Sequence, residues 1–141
     1  MEILYKNSIE QINWQAVSDL FQAVGWGYRK PEDIFQAFET SSHVRFAFCN
    51  GVLVGFGRTV DDGKYYALIV DLVVSPDFQC QGIGQKILAE LRDELESYIF
   101  TTLTSAVGKE QYYIKQGWGI QKTAFIWPRS EKQRADHTIN S

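Results

Sequence analysis

The clearest chemical pattern in the chain is the sequence Gln-x-x-Gly-x-Gly at residues 79–84. It follows an apolar run typical of a strand and leads directly into an amphipathic run typical of a helix. Gly82 and Gly84 have no Cβ atom, so the backbone there can approach a ligand closely. The first N–H groups of a helix have no partner inside it, and the helix dipole makes them attractive to an anion. The segment therefore predicts a phosphate-binding loop, and a diphosphate fits it best.

Two other glycine-rich phosphate loops match this segment less well. The Rossmann pattern needs a third glycine and a βαβ unit, whereas the strands predicted before residue 79 form antiparallel hairpins. The loop that binds nucleotide triphosphates needs Gly-Lys-Ser or Gly-Lys-Thr, and the segment contains neither. The residues themselves therefore disfavour both alternatives.

A second candidate for chemistry is Asp71, an acidic residue inside the apolar run of residues 68–74. A carboxylate is costly to bury without a partner, and a desolvated carboxylate is a good general base. Asp71 is therefore a candidate catalytic base. The alternatives are that it caps a neighbouring loop or forms an ion pair with Arg58 or Arg45, and that a chain of water molecules serves as the base.

The elements around these residues predict a mixed α/β domain built on one sheet that is mostly antiparallel and flanked by helices. Asn50-Gly51 and Asp62-Gly63 are typical of hairpin turns, because both turn residues need positive φ. The predicted order is β-α-α-β-β-β-α-β-α-β. The predicted strands cover residues 2–6, 44–48, 52–59, 64–74, 98–104 and 119–127, and the predicted helices cover residues 13–24, a segment from residue 31, 82–97 and 108–116.

Length and composition limit the possible classes of protein. A chain of 141 residues, 45% of them hydrophobic, suits one domain, which we expect over residues 1–128 with a polar tail over residues 129–141. A net charge of −3 argues against nucleic acid as a partner, and no apolar run is long enough to span a membrane. Cys49 and Cys80 are expected to be free thiols in a protein that is cytoplasmic or, after processing, organellar. No cysteine or histidine spacing predicts a metal site.

Two motifs give the chain a resemblance to a known family. Residues 79–84 after a strand resemble the Gln/Arg-x-x-Gly-x-Gly/Ala motif of the GNAT superfamily of acyl-CoA N-acyltransferases. Tyr-Ile-Lys-Gln-Gly-Trp at residues 113–118 resembles that family's Tyr-x-x-x-Gly-Phe segment. The order of elements predicted over residues 2–127 also resembles the GNAT fold. The resemblance implies acetyl-CoA as co-substrate, no metal, and transfer of the acetyl group to a primary amine by direct attack.

The resemblance also implies where the cofactor would bind. Its pantetheine arm would pair like an extra strand with the end of the strand before the loop, and residues 98–104 would splay away to leave room. A thiol beside a helix N-terminus is a candidate nucleophile, but phosphates would fill that position, so Cys80 is expected to contribute only its backbone. The implied residues are Leu72, Val73 and Val74 for pantetheine, and Gln79, Cys80, Gln81, Gly82, Ile83, Gly84 and Gln85 for the pyrophosphate.

Tyr113 matches the tyrosine that lies near the thioester sulfur in this family. The resemblance implies that it protonates or hydrogen-bonds the leaving thiolate. Many members carry an asparagine seven residues before this tyrosine, and here the position is occupied by Ala106. The neighbouring Ser105 is the expected substitute for that contact with the cofactor.

The acceptor amine is expected to bind near Trp26, Tyr28 and Arg29, which lie between the first two predicted helices. In the GNAT fold this region borders the acceptor pocket, and aromatic rings there could hold an amine through cation–π contact. The alternative is that Trp26 and Tyr28 cover the edge of the core. The favoured function is acetylation of a small-molecule amine. The alternatives are a protein or peptide N-acetyltransferase and an acyl-CoA-binding regulatory module without turnover. A homodimer is expected through the last strands, because an exposed edge there needs covering.

Overall fold

The computed structural model describes residues 2–139. The chain divides into two compact units, Met1–Leu103 and Thr104–Ser141, and each unit is described by itself. The first unit carries one five-stranded sheet in the order β1-β2-β3-β4-β5. Its strands are β1 (Ile3–Lys6), β2 (Val44–Cys49), β3 (Val52–Asp61), β4 (Tyr66–Val74) and β5 (Phe100–Leu103). Its helices are α1 (Trp14–Ala23), α2 (Pro31–Thr40) and α3 (Ile83–Glu94), with a 3-10 turn at Pro76–Phe78.

The sheet is antiparallel from β1 to β4, and β5 runs parallel to β4. This arrangement confirms the mixed α/β class with a mostly antiparallel sheet. The hairpin turn between β2 and β3 forms where it was expected, because Asn50 and Gly51 have φ angles of 51° and 78°. Pro31 begins α2, a position where its missing N–H costs nothing.

An aromatic core joins α1 and α2 to one face of the sheet. Phe21 of α1 and Phe38 of α2 lie with their ring centroids 5.1 and 5.8 Å from that of Phe56 in β3. Phe46 of β2 lies 5.4 Å from Phe38, and all four rings are buried. Burial of such a side chain contributes about 1.5–3 kcal/mol. The cluster therefore fixes both helices on the sheet and holds the two ends of the loop between them.

The opposite face of β3 is covered by α3, and this packing depends on two glycines. Gly55 and Gly57 are two residues apart, so both lie on the same face of the strand. A Cβ atom on Gly57 would lie 3.1 Å from both Ile87 Cγ2 and Leu91 Cδ1 of α3. The glycines thus let α3 approach the sheet closely.

The pairing between β4 and β5 ends before β4 does. The parallel pairing stops at Ile69 and Leu103, whereas β4 continues to Val74. All four residues of β5 pair with β4, so the gap that the family resemblance implied lies beyond the end of β5. Over residues 70–74, β4 has no pairing partner in β5.

A bulge in β4 lies just beyond the last residue that pairs with β5. Asp71 and Leu72 both lie opposite the single residue Gly57, because the register with β3 shifts there. Asp71 has a φ of 55°, a left-handed conformation that aspartate tolerates better than most residues. The bulge therefore redirects the strand just where it leaves β5.

The second unit contains two short helices, α4 (Glu110–Lys115) and α5 (Glu131–His137). The strand predicted over residues 119–127 is wrong, because no residue of that segment is in a strand. Apolar, β-branched and aromatic residues form a strand only where a neighbouring strand pairs with their backbone. Phe125 and Trp127 are instead 98% and 80% exposed. The order of elements therefore ends in two helices.

Candidate active site

The loop between β4 and α3 has a left-handed backbone at two positions, Cys80 and Gly82. Gly82 is the N-cap of α3 with φ 85° and ψ 0°, which favours glycine. Cys80 has a φ of 63° and is exposed. The Gln79 side chain folds back, and its Nε2 donates a hydrogen bond of 3.0 Å to the Val74 carbonyl. Two left-handed residues separated by one residue thus turn the chain from β4 into the helix.

The first turn of α3 presents backbone donors that have no partner within residues 2–139. No side chain caps the helix, and its first backbone hydrogen bond runs from the Lys86 N–H to the Gly82 carbonyl at 3.1 Å. The N–H groups of Ile83, Gly84 and Gln85 are therefore left for a ligand. A Cβ atom on Gly82 would meet no heavy atom within 4 Å. An uncapped helix start beside open space fits a diphosphate.

The end of β4 has one paired backbone edge and one edge that β5 leaves unpaired. Val73 and Val74 pair with Phe56 and Gly55 of β3 on one side, and β5 offers no partner there on the other. An unpaired strand edge presents N–H and C=O groups to a ligand that carries amides. Residues 72–74 therefore fit the two amides of a pantetheine arm.

Asp71 lies between two arginines. Its Oδ2 accepts a hydrogen bond from Arg58 Nε at 2.8 Å, and its Oδ1 accepts one from Arg29 Nη1 at 3.1 Å. Its side chain is 10% exposed and that of Arg58 is 15% exposed. Arg45, the other partner considered from the sequence, instead donates to Glu90 of α3 at 2.8 Å. Both oxygens of the Asp71 carboxylate are thus engaged with guanidinium groups.

A cavity of about 430 Å³ lies beside Asp71 in the first unit. Tyr28 and Arg29 line it together with Phe21, whereas Trp26 does not. Trp26 instead packs against Phe21, one of the lining residues, and their ring centroids are 5.8 Å apart. The structure therefore brings two of the three expected acceptor residues to one cavity and leaves the third supporting it.

Tyr113 lies in α4 of the second unit, where its side chain is half-buried. Burial raises the pKa of its hydroxyl, and the neighbouring Tyr112, whose ring centroid is 5.2 Å away, raises it further. A tyrosine that keeps its proton can donate it to a leaving group. In the same unit the Ser105 hydroxyl donates to the Ala106 carbonyl, and the buried Trp118 Nε1 has no partner within the described residues.

Two contributors to the site were missed in the sequence. The partnership of Arg29 with Asp71 spans 42 positions, and no local pattern marks it. Gly55 and Gly57 did leave a signal, because glycine at alternate positions of a strand marks a close approach of another backbone or helix. They position the helix start without touching a ligand themselves.

Among residues 2–139, no group of three or more His, Cys, Asp or Glu side chains is placed to hold a metal ion. No helix over the same residues has both the length and the apolar character needed to cross a membrane.

Comparison with known proteins gives a consistent family. The model of the acetyltransferase (GNAT) family matches residues 8–118. An uncharacterized N-acetyltransferase, ycf52, of Pyropia yezoensis is 31% identical over 137 residues, covering 89% of this chain and 78% of its own. Serotonin N-acetyltransferase 2, chloroplastic, of Oryza sativa subsp. japonica is 31% identical over 84 residues, covering 57% of this chain and 42% of its own. Among solved structures, a GNAT family acetyltransferase of Streptococcus pneumoniae has a TM-score of 0.77 and 29% identity, covering 92% of this chain and all of its own.

Proposed function

Because the chain belongs to the GNAT family of acetyltransferases, we propose that it transfers the acetyl group of acetyl-CoA to the primary amine of a small molecule in a ternary complex. The observation that carries the proposal is the uncapped start of α3 in the same unit as the unpaired end of β4. The start of α3 offers N–H donors to a diphosphate, and the end of β4 offers an unpaired strand edge to pantetheine. Diphosphate and pantetheine are two parts of acetyl-CoA.

The backbone of the first unit is proposed to hold the cofactor. Residues 79–85 would bind the pyrophosphate through the N–H groups of the first turn of α3, and residues 72–74 would pair with pantetheine. Bound acetyl-CoA supplies an activated thioester carbonyl to this site. A backbone N–H near Val73 or Val74 is proposed to stabilise the charge that develops on the carbonyl oxygen, because pairing with β3 already fixes that backbone. Ser105 is the proposed additional contact in place of asparagine.

The cavity beside Asp71 is the proposed acceptor site. Its volume of about 430 Å³ suits a small molecule, since ligand pockets typically measure about 300–1,000 Å³. Tyr28 supplies an aromatic face to which a cationic amine is attracted, whereas the Phe21 ring already stacks with the Arg29 guanidinium. The rice relative is named as a serotonin N-acetyltransferase, and this name supports an aromatic primary amine as the first acceptor to try.

Two proton transfers are required of the chain. An alkylamine with a pKa of about 10.4 must lose a proton before it attacks, and the base is either Asp71 or water. The two arginines on Asp71 support water as the immediate base. Tyr113 is proposed to donate a proton to the leaving thiolate, because a tyrosine hydroxyl, whose pKa burial raises further here, carries its proton at neutral pH.

Thiol release from acetyl-CoA tests the proposal. We expect release that saturates with serotonin, tryptamine or 2-phenylethylamine, and an N-acetylated product in mass spectrometry. N,N-dimethyltryptamine is the matched control, because its tertiary amine cannot give a stable amide. Release with lysine-bearing peptides but with no small amine would indicate a protein N-acetyltransferase. Coenzyme A binding without release on any amine would indicate a binding module.

The proposal also covers the oligomeric state of the protein and its location in the cell. We propose a homodimer in the cytoplasm that acts without nucleic acid or membrane. A dimer would cover exposed apolar side chains such as Phe125 and Trp127. Sedimentation equilibrium at several concentrations would test this, and a mass of one chain throughout would refute the dimer.

A further inference from the structure

We propose that Arg29 and Asp71 form a latch that holds the loop between α1 and α2 against β4, and that Asp71 is a positioning residue for the acceptor. The inference rests on the proposed function, because it places acceptor binding in the cavity beside Asp71. It gives Asp71 a role other than that of general base. It also makes Arg29 a residue that determines how tightly the acceptor binds.

The Asp71 carboxylate joins three parts of the first unit. Asp71 itself lies in the bulge of β4, and its partner Arg58 comes from β3. Arg58 Nη1 also lies 3.3 Å from Ser41 Oγ and 3.5 Å from the Ala37 carbonyl, at the end of α2. Arg29 comes from the loop that precedes α2. One carboxylate thus connects the sheet, the second helix and the loop before that helix.

The same contacts make Asp71 poorly suited to remove a proton. Each of its oxygens already accepts a hydrogen bond from a guanidinium group. Turning either oxygen towards an amine would weaken the hydrogen bond from Arg29 or from Arg58. Breaking one side of a largely buried ion pair is costly, because it leaves a charge without its partner.

Arg29 holds the loop between α1 and α2 through both its backbone and its side chain. The Arg29 carbonyl accepts a hydrogen bond of 2.7 Å from the hydroxyl of Ser18, a buried residue of α1. The guanidinium carbon lies 4.1 Å from the ring centroid of Phe21 and 5.7 Å from that of Trp26. The bond to Asp71 fixes this group on the sheet, so without Asp71 the side chain would keep only its stacking contacts.

Loss of the latch should change acceptor binding more than cofactor binding. Tyr28 precedes Arg29 and lines the cavity with it, so a loosened loop would move this wall. The pyrophosphate site at residues 79–85 makes no hydrogen bond to the latch residues in the described part of the chain. We therefore expect the KM for the amine to rise while the KM for acetyl-CoA stays constant.

Four variants test the latch. Arg29→Met removes the cation, and Asp71→Asn removes the charge but keeps the shape and tolerates the left-handed backbone. The double variant Arg29→Met/Asp71→Asn measures their coupling. Arg45→Met is the control, because Arg45 forms a partly buried ion pair with Glu90, and neither residue lines the cavity. Each protein is assayed for kcat and both KM values, for pH dependence, and for hydrogen exchange of residues 24–30.

We expect each single variant to raise the amine KM by about tenfold and the double variant to raise it no further, because both changes break one interaction. The decrease of kcat/KM at low pH, the acid limb of the pH profile, should persist in Asp71→Asn. Residues 24–30 should exchange faster in both single variants and normally in Arg45→Met.

A general-base role for Asp71 gives a different pattern and would overturn the latch. In that case kcat of Asp71→Asn would fall by more than about 100-fold, its acid limb would disappear, and Arg29→Met would behave as wild type. If the wild-type protein turns over no amine, the proposed function fails. Hydrogen exchange then decides the latch alone, and unchanged exchange of residues 24–30 in both variants would refute it.

Discussion

Gly57 allows the packing of α3 on the sheet to be tested by adding a single carbon atom. In Gly57→Ala the backbone fixes the new Cβ at 3.1 Å from Ile87 Cγ2, 3.1 Å from Leu91 Cδ1 and 3.5 Å from Leu72 Cδ1. Gly57 is not among the residues with positive φ, so its backbone accepts alanine without strain. Any effect of the substitution on stability in the folded state must therefore come from packing.

Two opposing contributions determine how much Gly57→Ala should change the free energy of unfolding. Overpacking a well-filled core costs about 1–3 kcal/mol. Alanine also restricts the unfolded chain, which stabilises the folded state by about 0.4–1 kcal/mol where the backbone is compatible. Both 3.1 Å contacts lie on one helix, so one displacement of α3 must relieve both. We expect Gly57→Ala to lower the free energy of unfolding by about 1–2 kcal/mol.

Urea unfolding, monitored by tryptophan fluorescence, measures this loss of folding free energy. In a Leu91→Val background the obstructing Cδ1 is absent, so Gly57→Ala should cost about 0.5–1 kcal/mol less than in the wild-type background. Gly119→Ala is the control for the glycine-to-alanine change itself, since its Cβ would meet no heavy atom within 4 Å. Calorimetry should also show weaker coenzyme A binding in Gly57→Ala, because the displaced helix carries the donors of residues 83–85.

Two results would refute this reasoning. A Gly57→Ala protein as stable as wild type would show that α3 does not need the glycine to approach β3. An equal loss in the wild-type and Leu91→Val backgrounds would show that Leu91 is not the obstacle.

Three further predictions concern the cofactor loop, the proton donor and the ion pairs of α3. Gly82→Glu should abolish coenzyme A binding in calorimetry, whereas Gly82→Ala should weaken it far less, because both strain a backbone with φ of 85° but only glutamate adds a negative charge; equal losses would assign the effect to strain. Tyr113→Phe should lower kcat by about 100-fold and leave the KM for acetyl-CoA unchanged, and an unchanged kcat would remove Tyr113 from the mechanism. The hydrogen bond from Arg45 lowers the pKa of Glu90 below its ordinary 4.5, so the stability that Glu90 contributes is complete above pH 4.5 and is lost as pH falls through the lowered pKa. Glu90→Gln should therefore lower the free energy of unfolding by about 0.5–1 kcal/mol at pH 7 and by less at pH 3; a difference that does not change with pH would contradict the ion pair.

Features that depend on residues adjacent in the chain could be predicted from the residue types alone. Asn50-Gly51 set the turn between β2 and β3, and Pro31 set the start of α2. Gly82 set the left-handed N-cap that leaves the first amides of α3 uncapped. Each of these follows from the φ angles and hydrogen-bonding groups that one or two residue types allow. For the same reason, the phosphate-binding character of residues 79–84 could be proposed before any tertiary structure was known.

Contacts between residues far apart in the chain could not be predicted in this way and required the folded structure. Asp71 could be read from the sequence as a base or as an ion-pair partner, and the fold brings Arg29 to it across 42 positions. The strand predicted over residues 119–127 does not form, since a strand also needs a neighbour to pair with its backbone. Charge pairing and strand pairing both depend on atoms far apart in the chain, and a local pattern of residue types carries no information about which of those atoms will be near.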